Sequence, residues 1–115
     1  MFANIYKNLN IPYTLASTEK EILSASKLVL PGVGHFDHAM QLFNSSGLRA
    51  SIEQKVLTEK TPIIGICVGM QMLAKSSEEG SAEGLGWIDG KVKKLTVDKL
   101  NHESKLPHMG WNTIL

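Results

Sequence analysis

Cysteine is almost absent: Cys67 is the only one in 115 residues, so no disulfide can form within the chain. Long hydrophobic runs are missing too. No stretch approaches the ~20 apolar residues of a membrane-spanning helix, and nothing near Met1 has the apolar centre of a secretory signal. Charge of one sign is not in excess, since 12 basic residues face 11 acidic ones and the net charge is +1. The basic residues are scattered, which argues against a nucleic-acid or anionic-membrane partner. The expectation is a cytoplasmic protein whose partners must be read from particular sites. With 43% hydrophobic residues, the chain can form a single domain over 1–115 that buries roughly 60–70% of its unfolded surface.

What is present is organised around residues 61–77, TPIIGICVGMQMLAKSS. The apolar run 63–66 enters a turn of small residues and leaves as a helical pattern through Met70, Met72 and Leu73, placing Cys67 where a strand becomes a helix. That is the shape of a nucleophile elbow. A side chain at the tip of so sharp a turn stands clear of the sheet, and Gly65 and Gly69 let the backbone fold close without Cβ clashes. At a helix start, free N–H groups and the helix dipole favour a thiolate, and the Val68 N–H can serve as one donor to a tetrahedral oxyanion. The competing reading is a small buried apolar side chain, which is what most lone intracellular cysteines are. The flanking glycines favour the nucleophile.

Before the elbow, Phe2, Ile5, Tyr6 and Leu9 mark one face of a short helix, and residues 11–15 read as a short strand. Thr18 and Glu21 have capping-box spacing for a helix through Ser24. Leu28-Val29-Leu30 is a continuous apolar run suited to a parallel sheet covered on both faces, and it stops at Pro31. Pro31-Gly32-Val33-Gly34 follows, either a loop that brings backbone N–H groups against a ligand or an ordinary turn before a helix over 36–43. Leu48, Ile52 and Val56 recur at a spacing of four and predict a second helix to Lys60. Beyond the elbow, residues 76–86 read as a loop, and Trp87-Ile88 and Val92 to Leu95 flank Asp89-Gly90, a favoured two-residue hairpin turn. Residues 97–106 are polar and expected to be exposed. The last apolar stretch, Pro107-His108-Met109-Gly110-Trp111-Asn112, fits a core strand and an interface equally well.

Four motifs in this order, Leu30-Pro31-Gly32-Val33-Gly34, Gly65-Ile66-Cys67-Val68-Gly69-Met70-Gln71, Gly84-Leu85-Gly86-Trp87-Ile88 and Pro107-His108-Met109-Gly110-Trp111-Asn112, resemble those of the glutaminase subunits of imidazole glycerol phosphate synthase. These are class I, triad-type glutamine amidotransferases, and the resemblance spans nearly the whole chain. It implies a flavodoxin-like α/β fold. It makes Cys67 the nucleophile that attacks the side-chain amide of L-glutamine to give a glutamyl thioester and ammonia. Val68 would supply one oxyanion-hole N–H, and Gly32 or Val33 the other. Gly34, Gln71 and Glu79 would bind the substrate, Glu79 by receiving its α-ammonium. The competing readings are a solvated helix position for Gln71 and an exposed loop charge for Glu79, and the matched spacing favours the binding roles. Met109 and Trp111 would face a cyclase subunit in a heterodimer that uses the ammonia. No cofactor and no metal is implied.

The same resemblance expects a histidine base and an acid in a His-x-Glu pattern near the C-terminus, and none of His35, His38, His102 and His108 lies in one. His35 and His38 read as surface residues in preference to a metal pair or a substitute base. The family's first strand is not found either. The expectation is therefore the central part of a subunit of about 200 residues, poorly stable and with little glutaminase activity by itself. Two alternatives are a relative supplying ammonia for amidination of a surface sugar and a non-catalytic module that only binds the synthase partner.

Overall fold

The computed structural model describes residues 2–96; the polar stretch from 97 and the positions His102, Glu103, His108, Met109 and Trp111 lie outside them. The elements follow as α1 (Phe2–Asn8), α2 (Glu19–Leu23), β1 (Leu28–Gly32), α3 (Phe36–Ser45), α4 (Arg49–Glu53) with a π-helical turn (Gln54–Thr58), β2 (Ile63–Cys67), α5 (Val68–Met72), β3 (Ser76–Ser77) and β4 (Lys91–Val92).

Local chemistry sets several boundaries as expected. Thr18 caps α2, its Oγ1 accepting the Glu21 N–H at 3.2 Å while its hydroxyl donates to the Glu21 carboxylate at 3.0 Å. The Ser17 N–H, followed by the Thr18 hydroxyl, holds that carboxyl below its ordinary range. Helix α3 begins at Phe36 and runs two residues further than expected before Gly47, at φ 77°, ends the segment. The helix expected to reach Lys60 changes to π geometry at Gln54, with the Glu59 N–H donating to Gln54 O at 2.9 Å.

β1 and β2 pair in parallel, from Leu28 beside Ile63 to Gly32 beside Cys67. A parallel pair needs a long crossover, supplied here by α3, α4 and the π turn. The expected α/β class with a parallel sheet therefore holds. β1 does not stop at Pro31 but includes it, which a strand edge with no donor to spare can accommodate. The apolar core lies chiefly between α3 and α5: Phe36, Met40 and Phe43 meet Val68, Met72, Leu73 and Leu85. Phe36 is wholly buried. The sheet is less covered than its sequence suggests, because β1 is only half-buried and Ile64 in β2 is 57% exposed.

Two expected elements are absent. Residues 11–15 form no strand, and Leu15 is 75% exposed; among the described residues no strand lies alongside to complete a ladder. The hairpin about Asp89-Gly90 is also wrong. The Ile88 N–H donates to Leu73 O at 2.9 Å and Gly90 O accepts from the Lys75 N–H at 2.9 Å, so this segment docks on the end of α5. β4 then pairs in parallel with β3, Ser76 beside Lys91 and Ser77 beside Val92.

Candidate active site

The elbow is built by backbone touching backbone. A Cβ on Gly65 would lie 2.6 Å from Met70 Cα, one on Gly32 would lie 2.7 Å from Gly69 N, and one on Gly69 would strike the Leu30 carbonyl oxygen. Both strand ends and the first turn of α5 are thus closer than any side chain allows. The glycines flanking Cys67 have the role their spacing suggested, and Gly32 adds a packing role to its place in the loop.

Cys67 sits at the junction with φ 58° and ψ −124° and has an exposed side chain. A residue with a Cβ in this region costs about 1–3 kcal/mol. Cys67→Gly is therefore expected to stabilise the fold by about 1 kcal/mol, raising the melting temperature by roughly 4–8 °C, while Cys67→Ala keeps the strain. Thermal unfolding of the two variants side by side checks this; equal midpoints would show that the elbow stores no such strain.

Helix α5 has only five residues, so what it offers an anion is the N–H groups of one turn more than a long macrodipole. Its other end is held by the Gly84-Leu85-Gly86 segment. The N–H groups of Leu85, Ile88, Gly86 and Gly84 reach the carbonyls of Met72, Leu73, Ala74 and Lys75 at 2.8–3.1 Å. Gly84 is required there, because a Cβ would meet the Ala74 carbonyl oxygen.

Gln71, one turn beyond Cys67, and Glu79 come together in the wall of an open cavity of about 580 Å³, with Ser77, Glu78, Val92, Lys93 and Lys94. Cys67 and the loop 31–34 are not in that wall, so Gln71 is the link between nucleophile and cavity. Its Oε1 is buried and accepts no hydrogen bond among the described residues. An orphaned acceptor costs about 1–3 kcal/mol, which a bound N–H donor would relieve. Ser77 Oγ accepts the Glu79 N–H at 3.1 Å, and Glu78 is occupied by the Lys94 N–H at 2.7 Å. Among the described residues the Glu79 carboxylate has no partner.

Of the loop residues, Gly32 is held in the ladder, Val33 is 85% exposed, and Gly34 has φ 89°. His35 follows and caps α3. Its Nδ1 accepts the Asp37 N–H at 3.1 Å, which leaves Nε2 to donate to the Glu79 carbonyl at 3.1 Å. With both ring nitrogens engaged, His35 is no free base. Asp37 was not singled out from the sequence, yet its carboxylate accepts the N–H groups of Ser81 at 3.0 Å and Ala82 at 2.8 Å. The Ser81 and Ala82 N–H groups hold it below the ordinary aspartate range, so it is fully ionised near neutral pH. Partners 44 and 45 residues away leave no local signal. His38 is exposed on α3, and among the described residues no three of His, Cys, Asp and Glu gather as a metal site. Nor is any described helix long and apolar enough to cross a membrane.

The sequence profile of the family Glutamine amidotransferase class-I matches residues 5–115. Imidazole glycerol phosphate synthase subunit HisH of Bdellovibrio bacteriovorus is 50% identical over 113 residues, 98% of this chain and 55% of that protein. The subunit of the same name in Leptospira interrogans is 47% identical over 113 residues, again 98% and 55%. One from Methanococcus maripaludis is 46% identical over 101 residues, 87% of this chain and 48% of the relative. The chain thus spans about half the length of the curated relatives it matches.

Proposed function

Since the chain belongs to the class-I glutamine amidotransferase family, we propose that it carries the nucleophile and part of the substrate pocket of a glutaminase subunit of imidazole glycerol phosphate synthase. The observation that carries this reading is the exposed Cys67 at φ 58°, held between Gly32 across the ladder and the first turn of α5. The relatives' names favour the histidine pathway over surface-sugar amidination.

In this reading Cys67 Sγ attacks the side-chain amide carbon of L-glutamine, forming a C–S bond. The carbonyl electron pair moves onto oxygen, where the N–H of Val68 and that of Gly32 or Val33 receive it. Each preorganised donor contributes on the order of 3 kcal/mol in the transition state. Collapse of the intermediate breaks the C–N bond, and the nitrogen leaves as ammonia with the proton that came from the thiol. Water then attacks the γ-glutamyl thioester, giving glutamate and restoring Cys67. Gln71 and Gly34 hold the substrate, and Glu79 pairs with its α-ammonium through a charge-assisted contact. The proton needs a carrier, and among the described residues no histidine hydrogen-bonds Cys67; the carrier is assigned to a histidine outside them.

Ammonia passes to a cyclase partner that makes imidazole glycerol phosphate and the aminoimidazole carboxamide ribotide, with Met109 and Trp111 at the contact between the two subunits. An exposed catalytic thiol suits the reducing cytoplasm. The test is glutamate release from L-glutamine by the assembled synthase, histidine carrier included, measured against the Cys67→Ala variant. Release that depends on Cys67 is expected. A complex that turns over its cyclase substrate with added ammonia, yet releases no glutamate from glutamine, would overturn the reading.

A further inference from the structure

We propose that His35 and Asp37 are positioning residues that fasten the loop 78–82 to the start of α3, so that Glu79 and the loop 31–34 are placed as one unit. This rests on the glutaminase reading of the same site and adds to it a cause for where Glu79 stands. Two fasteners act from one helical turn. The His35 ring spans from the Asp37 N–H to the Glu79 carbonyl, and the Asp37 carboxylate takes two successive N–H groups, those of Ser81 and Ala82, with the Ser81 hydroxyl at 3.4 Å. Gly80 lies flat against this carboxylate, and a Cβ there would come 2.6 Å from Asp37 Cγ.

The placement has a mechanical consequence. His35 directly follows Gly34, so the segment that offers oxyanion donors and the segment that offers the ammonium acceptor share an anchor. Neither contact reaches the substrate. The loop 31–34 is also fixed through Gly32 in the ladder with β2, which neither residue touches, so their effect on glutamine passes through Glu79 and a ligand without an α-ammonium should not sense it.

His35→Asn separates the tether from the fold. Asparagine still caps α3 by accepting the Asp37 N–H, but it is too short to reach the Glu79 carbonyl. Asp37→Asn weakens the other fastener, because one of the two oxygens that accept from Ser81 and Ala82 becomes a donor. In the full chain, Cys67 is alkylated by a diazo-ketone analogue of glutamine. Protection is titrated with L-glutamine and with glutaramate, which is glutamine lacking its α-amino group. Each variant is expected to raise the protecting concentration of glutamine about five- to tenfold and leave that of glutaramate unchanged. In a Glu79→Gln background neither should have a further effect on glutamine. Equal losses for both protectants would show that the residues act on the fold in general. Unchanged protection by glutamine would show that Glu79 needs no tether. Either result overturns the proposal while leaving the glutaminase reading intact. If glutamine fails to protect wild-type Cys67 at all, the glutaminase reading itself falls and the tether with it.

Discussion

Cys67→Ala is expected to lower glutamate release by the complex at least about 10⁴-fold, or ~5.5 kcal/mol of barrier. The sulfur is the only atom of the site that forms a bond to substrate in the proposed reaction, and splitting amide hydrolysis into thioester formation and thioester hydrolysis depends on it. What survives in the alanine variant is the geometry around the missing atom. The backbone at 67 keeps φ 58°, the N–H of Val68 keeps its direction, and Gln71 still reaches the cavity. Binding of glutamine should therefore remain while turnover disappears, so the loss falls on kcat with little change in KM. A loss confined to KM would mean that Cys67 is a pocket wall and the chemistry lies elsewhere.

The second large effect is on the fold. Gly69→Ala is expected to cost about 3 kcal/mol, the upper part of the range for overpacking. The added methyl would strike the Leu30 carbonyl oxygen and lie 2.8 Å from its carbon. Neither neighbour can swing aside as a side chain would. Leu30 is held in the ladder opposite Gly65, and Gly65 is itself within 2.6 Å of Met70 Cα when given a Cβ. Relief requires α5 to lift off both strands, which opens the elbow and draws Val68 and Met72 out of the core. A loss of 3 kcal/mol is a large part of the 5–15 kcal/mol that holds an ordinary domain together. Gly90→Ala is the control. Its Cβ would meet nothing closer than Ile88 Cγ2 at 4.0 Å, so its unfolding midpoint should stay within about 0.5 kcal/mol of the parent. Similar midpoints for both variants would remove the argument that the glycines are there for close approach.

The parts of the molecule legible in the sequence are those whose causes are local. The elbow was readable because an apolar strand run, two glycines and a helical period meet within the eleven residues 63–73, and the capping box because Thr18 and Glu21 are three apart. The parallel pairing of β1 and β2 followed from two apolar runs separated by helical patterns. The errors came where a local signal competed with a distant partner. Asp89-Gly90 is a good hairpin turn in isolation, but the carbonyls at the end of α5 needed donors, and Ile88 and Gly86 supplied them. Residues 11–15 alternate suitably for a strand, yet a strand is a property of two segments and the described residues offer it no neighbour.

The candidate site divides the same way. Cys67, Val68 and Gly32 are brought together by one turn and one ladder position, both predictable from the residues. Gln71 and Glu79 share a cavity because Gly84 and Leu85 fold back over α5, which spacing alone does not reveal. Lys93, Lys94 and Ser77 in the cavity wall went unnoticed for the same reason. Asp37 escaped notice entirely, since a lone aspartate in the first turn of a helix ordinarily serves its own N–H groups. Here it faces Ser81 and Ala82 instead.

The measurement that bears most directly on the central claim is the mass of the intact chain after exposure to a diazo-ketone analogue of glutamine, with iodoacetamide as the control. One adduct is expected, located on Cys67, that forms with the analogue and is suppressed by free L-glutamine. Reaction with iodoacetamide alone, with the analogue leaving Cys67 unlabelled or labelling it regardless of glutamine, would show an exposed thiol without a glutamine site and would contradict the account.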